Sequence, residues 1–170
     1  MAKTTFTYDT KLSADSVEWC PQLPNLLALG TYQVDRNNED TFSGSQRHGK
    51  LSLFSQNEAD EVELIHGQET PAILDMKWCH SLPNPTLALT TSTGFLQLYT
   101  FEAESRLLKL GSSVQLEESP VILSLDWNDR SAVASASETA STSDLEIVVS
   151  DSLGFITTIS VGNNLQIKVS

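Results

Sequence analysis

Asp75 and His80 are the side chains of this sequence whose types and nearness could do acid–base chemistry: a carboxylate and an imidazole five positions apart. Such a pair can take a proton from water or from a nucleophile. They stand at the two ends of an alternating stretch, however, and at ~3.3 Å per strand residue roughly 16 Å separates them. They are therefore two weak, single catalytic candidates and not a dyad. Taken alone, Asp75 reads as a turn or capping residue at a strand start and His80 as a loop histidine. His48, in a polar stretch, and His66, before Gly67, have no partner that the sequence names and are expected to face solvent. Cys20 and Cys79 lack Cys-x-x-Cys spacing and the histidines lack His-x-x-x-His spacing, so no metal ligand set is expected. Without a Gly-x-Ser-x-Gly elbow, a serine triad of the α/β-hydrolase kind has no support. Any catalysis would then rest on a carboxylate or histidine acting on water, with no cofactor.

The elements that must position these groups are marked by tryptophan. Trp19, Trp78 and Trp127 are the three tryptophans, 59 and 49 residues apart. Each has an apolar residue two positions earlier (Val17, Met76, Leu125) and another five positions earlier (Ala14, Ile73, Ile122). The last three positions of that unit alternate as a strand does. Further strands are expected at Leu26 to Thr31, Lys50 to Phe54 and Glu61 to Ile65 in the first unit. The second unit continues with Thr86 to Thr90, Phe95 to Tyr99 and Leu107 to Leu110, and the third with Leu145 to Val149, Phe155 to Ile159 and Leu165 to Val169. Gly94 and Gly154 hold matching places in Thr91-Ser92-Thr93-Gly94 and Asp151-Ser152-Leu153-Gly154, where a type I turn favours glycine last.

Four strands per unit and a recurrence of about fifty residues point to an all-β propeller segment of three four-stranded blades. A β-sandwich, the main rival, has no reason to repeat tryptophan and glycine in phase. The blades are expected at about 12–66, 72–111 and 121–170, within one incomplete propeller spanning 1–170. Thr5-Phe6-Thr7-Tyr8 alternates as a short strand ending in a turn at Asp9-Thr10-Lys11. As the strand that would complete a last blade, it should find no partner strand here. Asp35 to His48 reads as a mobile polar loop between strands two and three, and Ser131 to Asp144 as a Ser/Ala/Thr tract between strands one and two. The two should leave opposite faces of the disc. Glu18, Lys77 and Asp126, each just before a tryptophan, are expected to form an acid–base–acid ladder.

Composition limits what such a fold could bind. With 39% apolar residues in 170 positions the chain is a globular domain, and 22 acidic against 10 basic residues give a formal charge of −12. That charge argues against an unaided grip on nucleic acid or anionic lipid and suits a basic protein partner. No signal-peptide core and no apolar run of ~20 residues is present, so a cytosolic chain with two reduced thiols is expected.

Several stretches resemble one family. Asp15-Ser16-Val17-Glu18-Trp19-Cys20-Pro21, Leu26-Leu27-Ala28 with Gly30-Thr31-Tyr32-Gln33, Ile73-Leu74-Asp75-Met76-Lys77-Trp78-Cys79-His80, Leu123-Ser124-Leu125-Asp126-Trp127, and Ser150-Asp151-Ser152 with Gly154 are similar to the N-terminal half of the WD-repeat diphthine methyl ester hydrolases of diphthamide biosynthesis. The fold this implies is a partial WD40-like β-propeller. The usual Trp-Asp closing the third strand is missing from all three units. Thr10, Glu69 and Glu118 stand where a WD repeat has histidine, so its buried His-Ser/Thr-Asp-Trp network is not expected. The resemblance implies hydrolysis of the methyl ester of methylated diphthine, with translation elongation factor 2 as partner and substrate. It also suggests one use for the tryptophans, a cage for a trimethylammonium group; packing between blades is the competing use. The alternative to an enzyme is a non-catalytic adaptor, because a propeller does not by itself imply chemistry.

Overall fold

The computed structural model describes residues 4, 6–35, 46–116, 121–128 and 145–169. These residues form three antiparallel sheets. The first comprises β1 (Ala14–Trp19), β2 (Leu26–Thr31), β3 (Gln33–Asp35), β4 (Gln46–Gln56) and β5 (Val62–Thr70), ordered β1-β2-β4-β5, with β3 on the early part of β4. The second runs β6 (Ile73–Trp78), β7 (Thr86–Thr91), β8 (Phe95–Glu102), β9 (Leu107–Gln115), and the third β10 (Ile122–Asn128), β11 (Leu145–Asp151), β12 (Ile156–Val161), β13 (Ile167–Val169). Each sheet is a meander whose first strand touches the first strand of the next. This is the partial WD40-like β-propeller that the repeat implied.

The spacing of the repeated apolar residues has a structural cause. In β1, β6 and β10 the register slips at one place, between Ala14 and Ser16, Ile73 and Asp75, and Ile122 and Ser124. In a regular strand, residues five positions apart face opposite sides. One bulged residue reverses that parity, so Ile73, Met76 and Trp78 all join the core between blades one and two. Ile122, Leu125 and Trp127 do the same between blades two and three.

The core thus lies in the seams between sheets. Leu26, Ala28, Leu51 and Leu53 of blade one receive Ile73, Met76, Trp78, Leu87 and Leu89 of blade two. On its far side blade two offers Ala88, Leu96 and Leu98 to Ile122, Leu125, Trp127, Ile147 and Val149. β7 is consequently buried at every position, whereas β2 and β11 are fully buried on one face and only partly on the other. Trp19 is 51% exposed where Trp78 is 2% exposed, and Ile156 is 78% exposed where Leu96, its counterpart in blade two, is fully buried. Val17 and Val148 are exposed on the same two outer faces.

Several expectations need correction. Phe6 to Asp9 form no strand. The rings of Phe6 and Tyr8 pack instead against Phe54, at centroid distances of 6.4 and 4.8 Å, closing part of blade one's outer face. The turn after them is present, with Lys11 at φ 62° and its N–H donating to Asp9 Oδ1 at 3.0 Å. The loop expected from Asp35 to His48 is a hairpin at both ends, where Gln33, Val34 and Asp35 pair with His48, Arg47 and Gln46; 36–45 lie outside the described residues. So does the Ser131 to Asp144 tract. The strand ends flanking these two stretches lie at opposite ends of the blades. In blade three Asn163–Leu165 form a 3-10 turn, with Asn164 and Leu165 at φ 63° and 59°, so the last strand starts at Ile167 and not at Leu165.

The turn glycines behave as their positions require. Gly94 (φ 77°) and Gly154 (φ 90°) donate to Thr91 O and Asp151 O at 3.1 and 3.3 Å. Gly49 is constrained differently. A Cβ there would lie 2.2 Å from the Thr31 carbonyl oxygen and 3.0 Å from Ala72 Cα, both backbone atoms. Gly49→Ala is therefore expected to lower stability by about 2 to 3 kcal/mol. Gly154→Ala, strained only by its φ and with nothing within 4 Å, should cost about 1 kcal/mol. Denaturant midpoints of the two variants check the order, and equal losses would contradict it.

Candidate functional site

Charged groups gather where the first strands of the three blades meet. Strand pairing places Glu18, Lys77 and Asp126 opposite Ala28, Ala88 and Val148, equivalent positions of consecutive blades. The Lys77 ammonium donates to Glu18 Oε1 across the first seam, with both side chains partly buried. That bond pushes the Lys77 pKa up; desolvation opposes it, and the charges of Glu18, Asp75 and Asp126 add to it. Asp126 acts only through its field, since its Oδ1 accepts from the N–H of Trp127 at 3.0 Å. The expected ladder therefore has one hydrogen-bonded rung and one longer-range rung.

Asp75 is a fastener of the second seam. Its Oδ1 accepts from the Met76 N–H at 2.9 Å, a local bond of the kind a capping residue makes. Its Oδ2 accepts from Ser124 Oγ and from the Leu125 N–H, both at 2.9 Å, in the next blade. Ser16 and Ser124 occupy the matching places in the other blades, so this anionic fastener belongs to the second seam alone. Asp15 faces Asp75 from blade one. Its carboxyl is raised above the usual carboxylate range by desolvation and then by the Asp75 charge. The cluster is thus a negative inner edge around one lysine, suited to attracting a cationic group.

His80 lies beyond the end of β6, exposed in the connection to β7, whereas Asp75 lies near the start of that strand. The other histidines, expected to face solvent, are half-buried, and each has a partner that the sequence did not name. His48 Nδ1 lies 3.4 Å from Asp35 Oδ2 across the β3–β4 hairpin, and His66 Nε2 lies 3.4 Å from Gln68 Oε1. Both cysteines are buried and unbridged. Burial pushes the Cys20 thiol up, against backbone hydrogen bonds from Leu23 and Gln22, which disfavours the nucleophilic thiolate. Among the described residues no group of three or more His, Cys, Asp or Glu is placed to hold a metal ion.

The tryptophans are seam elements. The Trp78 indole N–H donates to the Glu18 carbonyl at 3.2 Å and that of Trp127 to the Lys77 carbonyl at 3.0 Å. Two rings spent in separate seams cannot converge into a cage. In-phase recurrence marked these residues, but the need of a buried indole N–H for an acceptor was the further signal to use. A second bridge had no signature: Gln68 Nε2 of β5 donates to the Tyr99 hydroxyl at 2.9 Å, which donates to Gln97 Oε1 at 3.2 Å. Burial pushes the Tyr99 phenol up, opposed by the bond from Gln68.

These contacts make two seam-specific predictions. In a Glu18→Gln, Lys77→Met double-mutant cycle, the coupling should be about 0.5 to 1 kcal/mol, the range for partly exposed pairs. Because the pair raises the lysine's pKa, the coupling present at neutral pH should stay complete up to about pH 10.4 and vanish as pH rises through the folded-state value. Additivity at pH 7 would show that the pair contributes nothing. Asp75→Ala leaves two donors of blade three unanswered and should cost about 1 to 3 kcal/mol. Asp75→Asn, which keeps one acceptor oxygen, should cost less, and the reverse order in thermal unfolding would refute the fastener role.

No family model matches the chain. It is 40% identical to the diphthine methyltransferase of Homo sapiens over 172 residues, which cover 87% of this chain and 36% of that protein. Its identity to the diphthine methyltransferase of Mus musculus is 37% (86% and 32% covered), and to that of Schizosaccharomyces pombe 30% (71% and 34%). The chain spans about a third of the length of the curated relatives it matches. In structure it resembles Sqt1 of Saccharomyces cerevisiae, with TM-score 0.53, 14% identity, and 94% of this chain and 49% of that one covered. For Chaetomium thermophilum Sqt1 the TM-score is 0.50, at 15% identity and 89% and 45% coverage. At such identities the likeness speaks to fold alone. No helix of the described residues is long and apolar enough to cross a membrane. The chain is thus similar over most of its own length to proteins named diphthine methyltransferase, and its fold is that of a partial WD40-like propeller.

Proposed function

We propose that the chain acts in diphthamide biosynthesis by hydrolysing the methyl ester of methylated diphthine on translation elongation factor 2, in the cytoplasm. The observation that carries this reading is the 40% identity to a protein named diphthine methyltransferase across 87% of the chain. That name speaks of methyl transfer. With water as the attacking group, the bond between the acyl carbon and the methoxy oxygen breaks, and the ester and water become a carboxylate, methanol and a proton. The negative inner edge around Asp15, Asp75 and Asp126 supports the same reading, since methylated diphthine carries a fixed positive charge. So does the net charge of −12, which favours encounter with a basic protein surface.

Elongation factor 2 bearing methylated diphthine, incubated with the 170-residue chain in ¹⁸O-labelled water and read by mass spectrometry, tests the reaction. The expected outcome is replacement of the methyl ester by a carboxylate carrying one labelled oxygen, with methanol released. Binding without any change of mass would overturn the hydrolytic reading. A gain of methyl from an added methyl donor would reverse its direction.

A further inference from the structure

We propose that Asp75 activates Ser124 as a nucleophile, and that Ser124 is the group that opens the methyl ester. The inference rests on the hydrolytic reading above and adds the route by which the ester is cleaved. Its basis is a hydroxyl held against a carboxylate: Ser124 Oγ donates to Asp75 Oδ2 at 2.9 Å across the second seam. With the proton directed to that acceptor, the lone pairs of the oxygen are left for an acyl carbon. Ser124 is exposed while the next residue, Leu125, is buried, so the hydroxyl is reachable on a strand that is firmly packed. A nucleophile and a base within hydrogen-bond reach, the base itself oriented by further groups, is the arrangement that activates a serine. Here two amides orient it, Met76 N–H on Oδ1 and Leu125 N–H on Oδ2, both at 2.9 Å. The Leu125 amide fastens the seam without help from a side chain of β10. The serine hydroxyl is the part of the contact that fastening leaves unexplained.

The steps balance. Ser124 Oγ attacks the acyl carbon as its proton passes to Asp75. The bond from that carbon to the methoxy oxygen breaks, and the methoxy oxygen takes the proton and leaves as methanol. Water then attacks the acyl-serine and gives a proton to Asp75, the bond to Oγ breaks, and Oγ recovers the proton. A carboxylic acid is left, which ionises. A carboxylate acting on water, as the sequence led us to expect, is thus the second half of the route. Lys77 lies one pleat beyond Asp75 on the same face of β6. Its ammonium spends one N–H on Glu18 and has others to offer the negative oxygen that forms on the acyl group. A carboxylate is a weaker base than an imidazole, so turnover should be slow for a serine enzyme.

A fluorophosphonate, which forms a phosphonate ester with an activated serine and loses fluoride, tests the pair on the full 170-residue chain. Peptide mass spectrometry should place the label on Ser124. Labelling should slow about 100-fold or more in Asp75→Asn, with that variant's thermal unfolding showing it folded, and urea-unfolded chain should take none. Because the label is read on the unaltered chain, the test does not depend on any variant folding. Loss of methyl from elongation factor 2 bearing methylated diphthine should fall by a similar factor in Ser124→Ala and in Asp75→Asn. No label on Ser124, or unimpaired ester loss in Ser124→Ala, overturns the nucleophile and leaves the hydrolytic reading standing. A labelled Ser124 in a chain that leaves the ester intact overturns that reading and keeps the activated serine.

Discussion

A sheet with two apolar faces must be covered twice, and blades two and three of this chain each lend three inner-strand side chains to the blade before them. The bulge before each tryptophan makes the loan possible. Without the extra residue at Asp15, Leu74 or Leu123, the residue five before the tryptophan would point away from the seam that the other two enter. The indole N–H then fixes how the blades register, because a buried donor must find its acceptor and the preceding blade offers a carbonyl at the corresponding height. The packing of the middle blade, the fastening by Asp75 and the pairing of Glu18 with Lys77 all depend on that registration.

Much of the fold was legible because it repeats. Three tryptophans in phase and two turn glycines in matching places carried the blades, and their physical basis is a face that must be apolar in every unit. What was illegible lacked repetition. Phe6 and Tyr8 alternate as a strand would, yet a strand needs an edge to pair with, and these rings found the ring of Phe54 first. The hairpin of β3 and β4 was hidden by polar composition, since its pairing uses backbone groups that side-chain type does not report. Asn163-Asn164 did carry a turn signal, asparagine being tolerant of left-handed φ, but the apolar run beginning at Leu165 concealed it.

The candidate site was legible in part for the same reason. Glu18, Lys77 and Asp126 could be aligned because each is anchored to a tryptophan. The role of Asp75 could not be read, since the serine hydroxyl and amide it binds lie about fifty residues away and leave no local trace. Spacing did keep Asp75 and His80 apart, and the extended β6 agrees. The partners of His48 and His66 were equally out of reach, one set by a hairpin hidden in a polar stretch and the other by local strand geometry.

β7, buried on both faces, has a dynamic counterpart. In an array whose units touch only their neighbours, stability is close to a sum of unit and interface terms, so the unit with two interfaces opens last. Among the described residues blade two holds both seams, while blades one and three hold one each. Opening free energies should therefore grade along the chain, highest at β7 and falling toward either end. Of the three described blades the middle sheet would open last, acting as the template on which both neighbours reassemble.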